Sequence, residues 1–234
     1  MEKKWLRDRE NVILMNSDQN LKLFPLNKVL FPGMPLYLNI FEERYKQLIN
    51  ECIEENAPFG VLLIKKGHEI NDETAQTFNV GCAAKISHYE RLADNRMHLI
   101  AFGTRKFSVS EFFITHHILS GKITFDPEIE AETRAITEFD NKLRDLLLRY
   151  MKILAELQET DFHPIDFPED TIQLTYFIAN ILSIPLTSKQ KLLCENSSYK
   201  LMQKVTRLFG DEFRILKMKY DLSKKKDMGP FYHN

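Results

Sequence analysis

The chain has 234 residues, 32 basic and 33 acidic side chains, a formal net charge of −1 and 44% hydrophobic residues. This balance excludes wholesale disorder and argues against a general nucleic-acid binder, which needs a basic surplus. The length suffices for two modules of about 100 residues, each able to hold its own core.

Cys52, Cys82 and Cys194 are far apart, odd in number and match no zinc or redox spacing. They read as reduced thiols in a reducing, cytoplasmic compartment, with Cys52 and Cys82 buried. Residues 1–19 form a charged leader whose apolar run, residues 12–15, is too short for a signal-peptide core or a membrane span. No function attaches to it.

Residues 23–26 read as a strand, and Pro25, having no N–H, places it at an edge or a strand end. Pro32-Gly33 suits the centre of a type II turn, because Pro sets the first φ and Gly accepts the positive φ that follows. Beyond it Leu36, Leu38 and Ile40 alternate with Tyr37 and Asn39, the period of a strand with one apolar face. From Phe41 the period becomes helical through Tyr45, Leu48, Ile49, Cys52 and Ile53. Glu42 and Glu43 favour the positive end of that helix. Arg44 does not, and reads either as an anchor for the adjoining loop or as a solvated side chain.

Asn56-Ala57-Pro58 ends the helix, and residues 59–64 are a continuous apolar run, a strand buried on both faces. Residues 65–77 read as an exposed loop. Strands follow at 78–90 and 97–103, joined by a hairpin in which Asp94-Asn95 suits a type I′ turn. Gly103 marks a bend or bulge before strands at 106–115 and 118–125. Short strands with one embedded helix predict a partly closed antiparallel barrel.

After Asp126-Pro127 the period is helical. Ile136, Phe139, Leu143, Leu146, Leu147, Tyr150, Leu154 and Leu157 form one stripe, and Pro164 and Pro168 interrupt the chain. Leu174, Phe177, Ile178, Ile181 and Leu182 mark a second helix. Thr187 and Gln190 have the spacing of a capping box that opens a third. Asn196-Ser197-Ser198 caps a fourth near residues 199–220, with Gly210 a weak point within it. The organisation expected is leader 1–19, β domain 20–127, helical bundle 128–222 and flexible tail 223–234.

FPLNKVLFPGMPLYLNIFEERY at residues 24–45 resembles the amino-terminal, substrate-binding domain of Lon proteases, in particular bacterial proteins consisting of that domain alone. The resemblance continues through PFGVLLIKKG, VGCAAKI, RLADNR and FGTRKFSV, and less specifically through LTSKQKLLCENSSYKLMQKV. Leu92-Ala93-Asp94-Asn95 departs from the family's Leu-Pro-Asp-Gly. The resemblance implies an α+β fold, an N-terminal PUA-like β pseudobarrel with one embedded helix followed by a C-terminal α-helical bundle. Pro32, Gly33, Phe41, Glu42, Arg44 and Tyr45 are its motif positions.

The family's full-length enzymes carry an ATPase motor and a peptidase after this domain. The chain has no G-x-x-x-x-G-K-[ST] cradle, G-x-S-x-G elbow, H-E-x-x-H helix or C-x-x-C pair. His68-Glu69 lacks a second His, and His116-His117, read as strand neighbours, point to opposite faces. No catalytic residue, cofactor or metal site is therefore assigned, and the expected role is non-enzymatic.

What remains is binding. Phe31, Met34 and Tyr37 around the turn, with Phe112 and Phe113, are the candidates for docking exposed apolar segments of unfolded or extended polypeptide. The competing reading packs each of them inside. Further partners implied are a second copy of the chain and an ATP-dependent protease or chaperone acting in trans. Two alternatives stand beside this: an RNA-binding PUA-like protein, using Lys65, Lys66 and Lys224 to Lys226, and a small-molecule pocket of the cereblon type.

Overall fold

The computed structural model describes residues 19–66, 76–160 and 167–227. The leader through residue 18, His68-Glu69 with its loop, Pro164 and the end of the tail lie outside the described residues. In chain order the elements are β1 Gln19–Leu26, β2 Pro35–Ile40, α1 Glu43–Glu54, β3 Phe59–Lys66, β4 Gln76–Thr77, β5 Val80–Arg91, β6 Met97–Thr115 and β7 Ile118–Phe125. The helices α2 Thr133–Leu157, α3 Thr171–Ile181, α4 Leu186–Leu193 and α5 Ser198–Asp227 follow. Two compact units result: one holds the chain up to Glu128 together with Leu186–Cys194, the other Ile129–Pro185 and the chain from Glu195 onward.

In the first unit β1, β7, β6, β5 and β3 are successive neighbours, and a β1–β3 pairing closes them into a ring. That closing pair is parallel, Leu23 opposite Gly60 and Leu26 opposite Leu63, where the sequence predicts an antiparallel barrel. The chain between the two strands carries β2 and α1, the long crossover that parallel pairing requires. β1 pairs with β7 over residues 19–22 and with β3 over 23–26. One side of the strand is thus free of a ladder at Pro25, where no N–H is missed. Leu21, Leu23, Leu62, Ala83, Phe107, Val109, Ile123 and Phe125 form a core cluster. All six residues from Phe59 to Ile64 are buried, as their unbroken apolar run requires.

Three turns follow local chemistry. Gly33 has φ 79°, and Met34 N–H donates to the Phe31 carbonyl at 3.1 Å, closing the type II turn. In the β5–β6 hairpin only Asn95 is left-handed, φ 65°, so the turn is not type I′. Asn95 N–H donates to Leu92 at 3.1 Å and Leu92 N–H to Arg96 at 2.8 Å, a longer loop in which one left-handed residue completes the reversal. His116 and His117 both have positive φ, 49° and 64°, and make the two-residue β6–β7 turn instead of lying within a strand.

β6 runs unbroken from Met97 to Thr115, and Gly103 sits in it at a register irregularity: Ala84 pairs with Gly103 but Cys82 with Lys106. The expected break is a bulge. α1 begins at Glu43, leaving Phe41 exposed ahead of it, while Tyr45, Leu48, Ile49 and Cys52 are buried. α4 begins at Leu186, so Thr187 lies inside it. Gln190 donates to the Val80 carbonyl on β5 at 2.8 Å and does not reach back to a cap.

In the second unit α2 buries Ala135, Phe139, Leu143 and Leu147, four residues at strict i, i+4 spacing. Ile136, placed by periodicity on the buried stripe, is exposed. Asp170 caps α3, accepting from Gln173 N–H at 2.8 Å, and α3 is buried nearly all round. Ser197 caps α5, its hydroxyl accepting from Lys200 N–H at 3.3 Å. Among the described residues no helix is long and apolar enough to cross a membrane.

Candidate functional site

β2 pairs with β6 alone among the described strands, Leu36 opposite Ala101, Tyr37 opposite Ile100 and Pro35 opposite Phe102. β6 in turn pairs with β5, setting Lys85 beside Phe102, His88 beside Ile100 and Glu90 beside His98. Residues directly opposite in a sheet share a face. Leu36, Ile40, Met97, Leu99 and Ala101 point into the barrel and are buried. The alternate positions form the outer face, in three rows: Pro35, Phe102 and Lys85; Tyr37, Ile100 and His88; Asn39, His98 and Glu90.

Its apolar part is exposed where a folded chain normally covers such groups, with Tyr37 65% and Phe102 44% accessible. Lys85, His88 and Glu90 on β5 border that patch along one side, and Asn39 and His98 close one end of it. Beyond β2 no further strand is paired among the described residues, so the patch adjoins a backbone edge of the kind that accepts an added strand.

The five candidates from sequence do not converge. Tyr37 lies on this face. Phe31 and Met34 are buried, because the Pro32-Gly33 turn folds inward against β6: Gly33 N–H donates to the Gly103 carbonyl at 2.8 Å and Gly103 N–H to the Met34 carbonyl at 2.9 Å. Phe112 is exposed and Phe113 half-buried, opposite Gly121 and Ser120 on β7. That is about 30 Å along β6 from Phe102. Ile100 and Phe102 were missed. The available signal was parity: with Leu99 and Ala101 inward, the even-numbered residues point out.

The Phe-Glu-Glu-Arg-Tyr motif supports this face without joining it. Arg44 donates to Glu42 Oε2 through Nε at 3.0 Å and Nη2 at 2.9 Å, and its guanidinium lies 4.6 Å from the Tyr45 ring centroid. Tyr45 stacks on Phe24 of β1, centroids 4.0 Å apart and planes 11° from parallel. Arg44 thereby ties the β2–α1 connection to a ring seated on the barrel.

Among the described residues nothing resembling a nucleophile or metal centre is assembled. Burial raises the Cys52 thiol to about 11 and pushes Cys82 higher still, so neither is a thiolate at neutral pH. No group of His, Cys, Asp and Glu among the described residues is arranged to hold a metal. An open cleft of about 640 Å³ lies along α1; among its lining charges Lys46 pairs with Glu43 at 2.8 Å, and Glu51 pairs with Lys22 of β1 at 3.0 Å.

The architecture defines the class: a mixed α+β protein with a seven-stranded sheet, one helix threaded between its strands, and a C-terminal helical part. Residues 20–209 match the ATP-dependent protease La (LON) substrate-binding domain, and the chain belongs to that family. It is 24% identical over 210 residues to the Lon protease of Chloroherpeton thalassium, covering 89% of this chain and 25% of that protein. It is 24% identical over 218 residues to that of Bacillus thuringiensis, covering 90% and 27%. The chain thus spans about a quarter of the length of the curated relatives it matches.

Two solved structures share the fold. A Lon N-terminal domain protein from Xanthomonas campestris superposes with TM-score 0.57 at 22% identity, covering 80% of this chain and 96% of that one. The N-terminal domain of Mycobacterium avium complex Lon protease gives 0.62 at 15% identity, covering 82% and 99%.

Proposed function

We propose that this chain is a non-enzymatic polypeptide-binding module that docks extended, apolar segments of unfolded proteins on the outer face of β2, β6 and β5. The reading rests above all on Tyr37 and Phe102, large side chains left accessible on adjoining cross-strand rows beside a strand edge that no other described strand pairs. An extended segment laid there exchanges its own hydration for theirs. At about 25 cal/mol per Å², burying about 200 Å² of apolar surface supplies about 5 kcal/mol before ordering costs, a weak and sequence-tolerant attachment. Recognition of many unfolded chains needs that tolerance. The substrate-binding role named for the family supports the same reading.

Delivery of the captured chain falls to an ATP-dependent protease or chaperone acting in trans. The free thiols of Cys52, Cys82 and Cys194 suit a cytoplasmic setting. Fluorescence anisotropy of a labelled, permanently unfolded polypeptide tests the proposal. Saturable binding is expected by about 1 mM protein, where contacts worth about 4 kcal/mol half-saturate. A flat titration there overturns it.

A further inference from the structure

β2 holds main-chain hydrogen-bonding groups that the described fold does not use. Gly103 N–H donates to the Met34 carbonyl at 2.9 Å, and Met34 opposite Gly103 continues the register in which Pro35 opposes Phe102. In an antiparallel pair only every second residue exchanges bonds with its partner. Counted from Met34, the residues turned toward β6 are Leu36, Leu38 and Ile40. Pro35, Tyr37 and Asn39 turn their main-chain groups the other way, to the edge that no other described strand pairs. Pro35 has no N–H to offer. Tyr37 and Asn39 each have an N–H and a C=O there, without a partner among the described residues, and both residues are exposed.

We infer that an unfolded chain is held at this edge as an added strand, its backbone bonded to that of Tyr37 and Asn39. This attachment presupposes the docking face proposed above and specifies which segments suit it. Tyr37 and Asn39 lie two residues apart, about 7 Å, and offer donors and acceptors at the repeat of an extended chain, which a helix cannot match. In the antiparallel orientation, the stabler per residue, the guest residue opposite Tyr37 both gives and takes a bond. The guest residue two positions away does the same at Asn39. Their side chains stand on the outer face beside Tyr37 and Asn39. Opposite Pro35 the guest meets a carbonyl and no donor, so the ladder weakens and the added strand stays short. Suitable segments thus place apolar residues at alternate positions and carry no proline there, because each must supply an N–H. That is the pattern of a half-buried strand, accessible only once its own fold is lost.

Backbone methylation of the guest tests this without altering the protein. The probe is a labelled peptide of alternating Leu and Thr capped by lysines, titrated with the full chain and read by fluorescence anisotropy. One derivative is N-methylated at every Leu and a second at every Thr, so both carry the same load of methyl groups on opposite edges of the extended peptide. Methylation at Leu is expected to weaken binding about tenfold and methylation at Thr to leave it within about twofold of the parent. Loss confined to the Thr set also supports strand addition, in the parallel orientation. On the protein side, Asn39→Pro deletes an N–H that the β6 ladder does not use, so circular dichroism should be unchanged while affinity for the parent peptide falls about fivefold. Two methylated peptides that bind alike, or a folded Asn39→Pro variant as tight as wild type, overturn strand addition and leave the apolar docking face standing. A parent peptide that does not bind by about 1 mM protein overturns both.

Discussion

Gly103 on β6 and Phe31 at the Pro32-Gly33 turn meet so closely that a Cβ on Gly103 would lie 2.3 Å from the Phe31 carbonyl oxygen. The contact is backbone, so no side-chain rotation relieves it. Gly103→Ala must move the turn or the strand, breaking the bonds from Gly33 N–H to the Gly103 carbonyl and from Gly103 N–H to the Met34 carbonyl. The expected cost is about 3 kcal/mol, read as a lowered urea midpoint.

Gly210 is the converse case. It lies within α5 with nothing within 4 Å of where a Cβ would sit. Gly210→Ala removes backbone freedom from the unfolded chain without crowding the folded one. A gain of about 0.5–1 kcal/mol is expected, seen as a melting temperature raised by about 2–4 °C.

Tyr150 joins α2 to α5 through Glu212, whose second oxygen accepts from Ser183 N–H at 2.8 Å. Burial raises the phenol to about 12, and the hydrogen bond and charge of Glu212 act in the same direction. The folded state therefore holds this proton where the unfolded chain, with an ordinary value near 10, releases it. Its contribution is fully present below pH about 10 and is lost as pH rises through about 12. Tyr150→Phe is expected to cost about 1 kcal/mol at neutral pH and to flatten the alkaline limb of the stability curve, measured by urea unfolding across that range.

The three cysteines differ in accessibility. Cys52 and Cys82 are buried and Cys194 is exposed. A disulfide-exchange reagent at pH 8 should modify about one thiol in the native protein, slowly because partial burial also raises the Cys194 thiol, and all three after denaturation. Cys194→Ser should abolish the native reaction. Spectrophotometric thiol counting reads both results.

On the proposed docking face, Tyr37→Ser and Phe102→Ser are each expected to weaken binding of an unfolded polypeptide about 3–10-fold, from lost apolar contact. Phe112→Ser removes a ring nearly as accessible as that of Phe102, further along β6, and should leave affinity unchanged. Equal loss from all three in an anisotropy titration would argue for diffuse apolar adhesion.

What the sequence determined by itself was local: the type II turn at Pro32-Gly33, the inward and outward alternation of β2, the buried run of β3 and the burial of Phe139, Leu143 and Leu147 on α2. These follow from backbone sterics and side-chain period, which act within a few residues. Register and closure belonged to the tertiary structure. The parallel β1–β3 pair, the inward fold that hides Phe31 and Met34, and the rows uniting Tyr37 with Ile100 and Pro35 with Phe102 all depend on strands far apart in sequence. A one-residue slip in such a pairing moves every side chain to the opposite face, so composition alone carries no information about which aromatic reaches solvent.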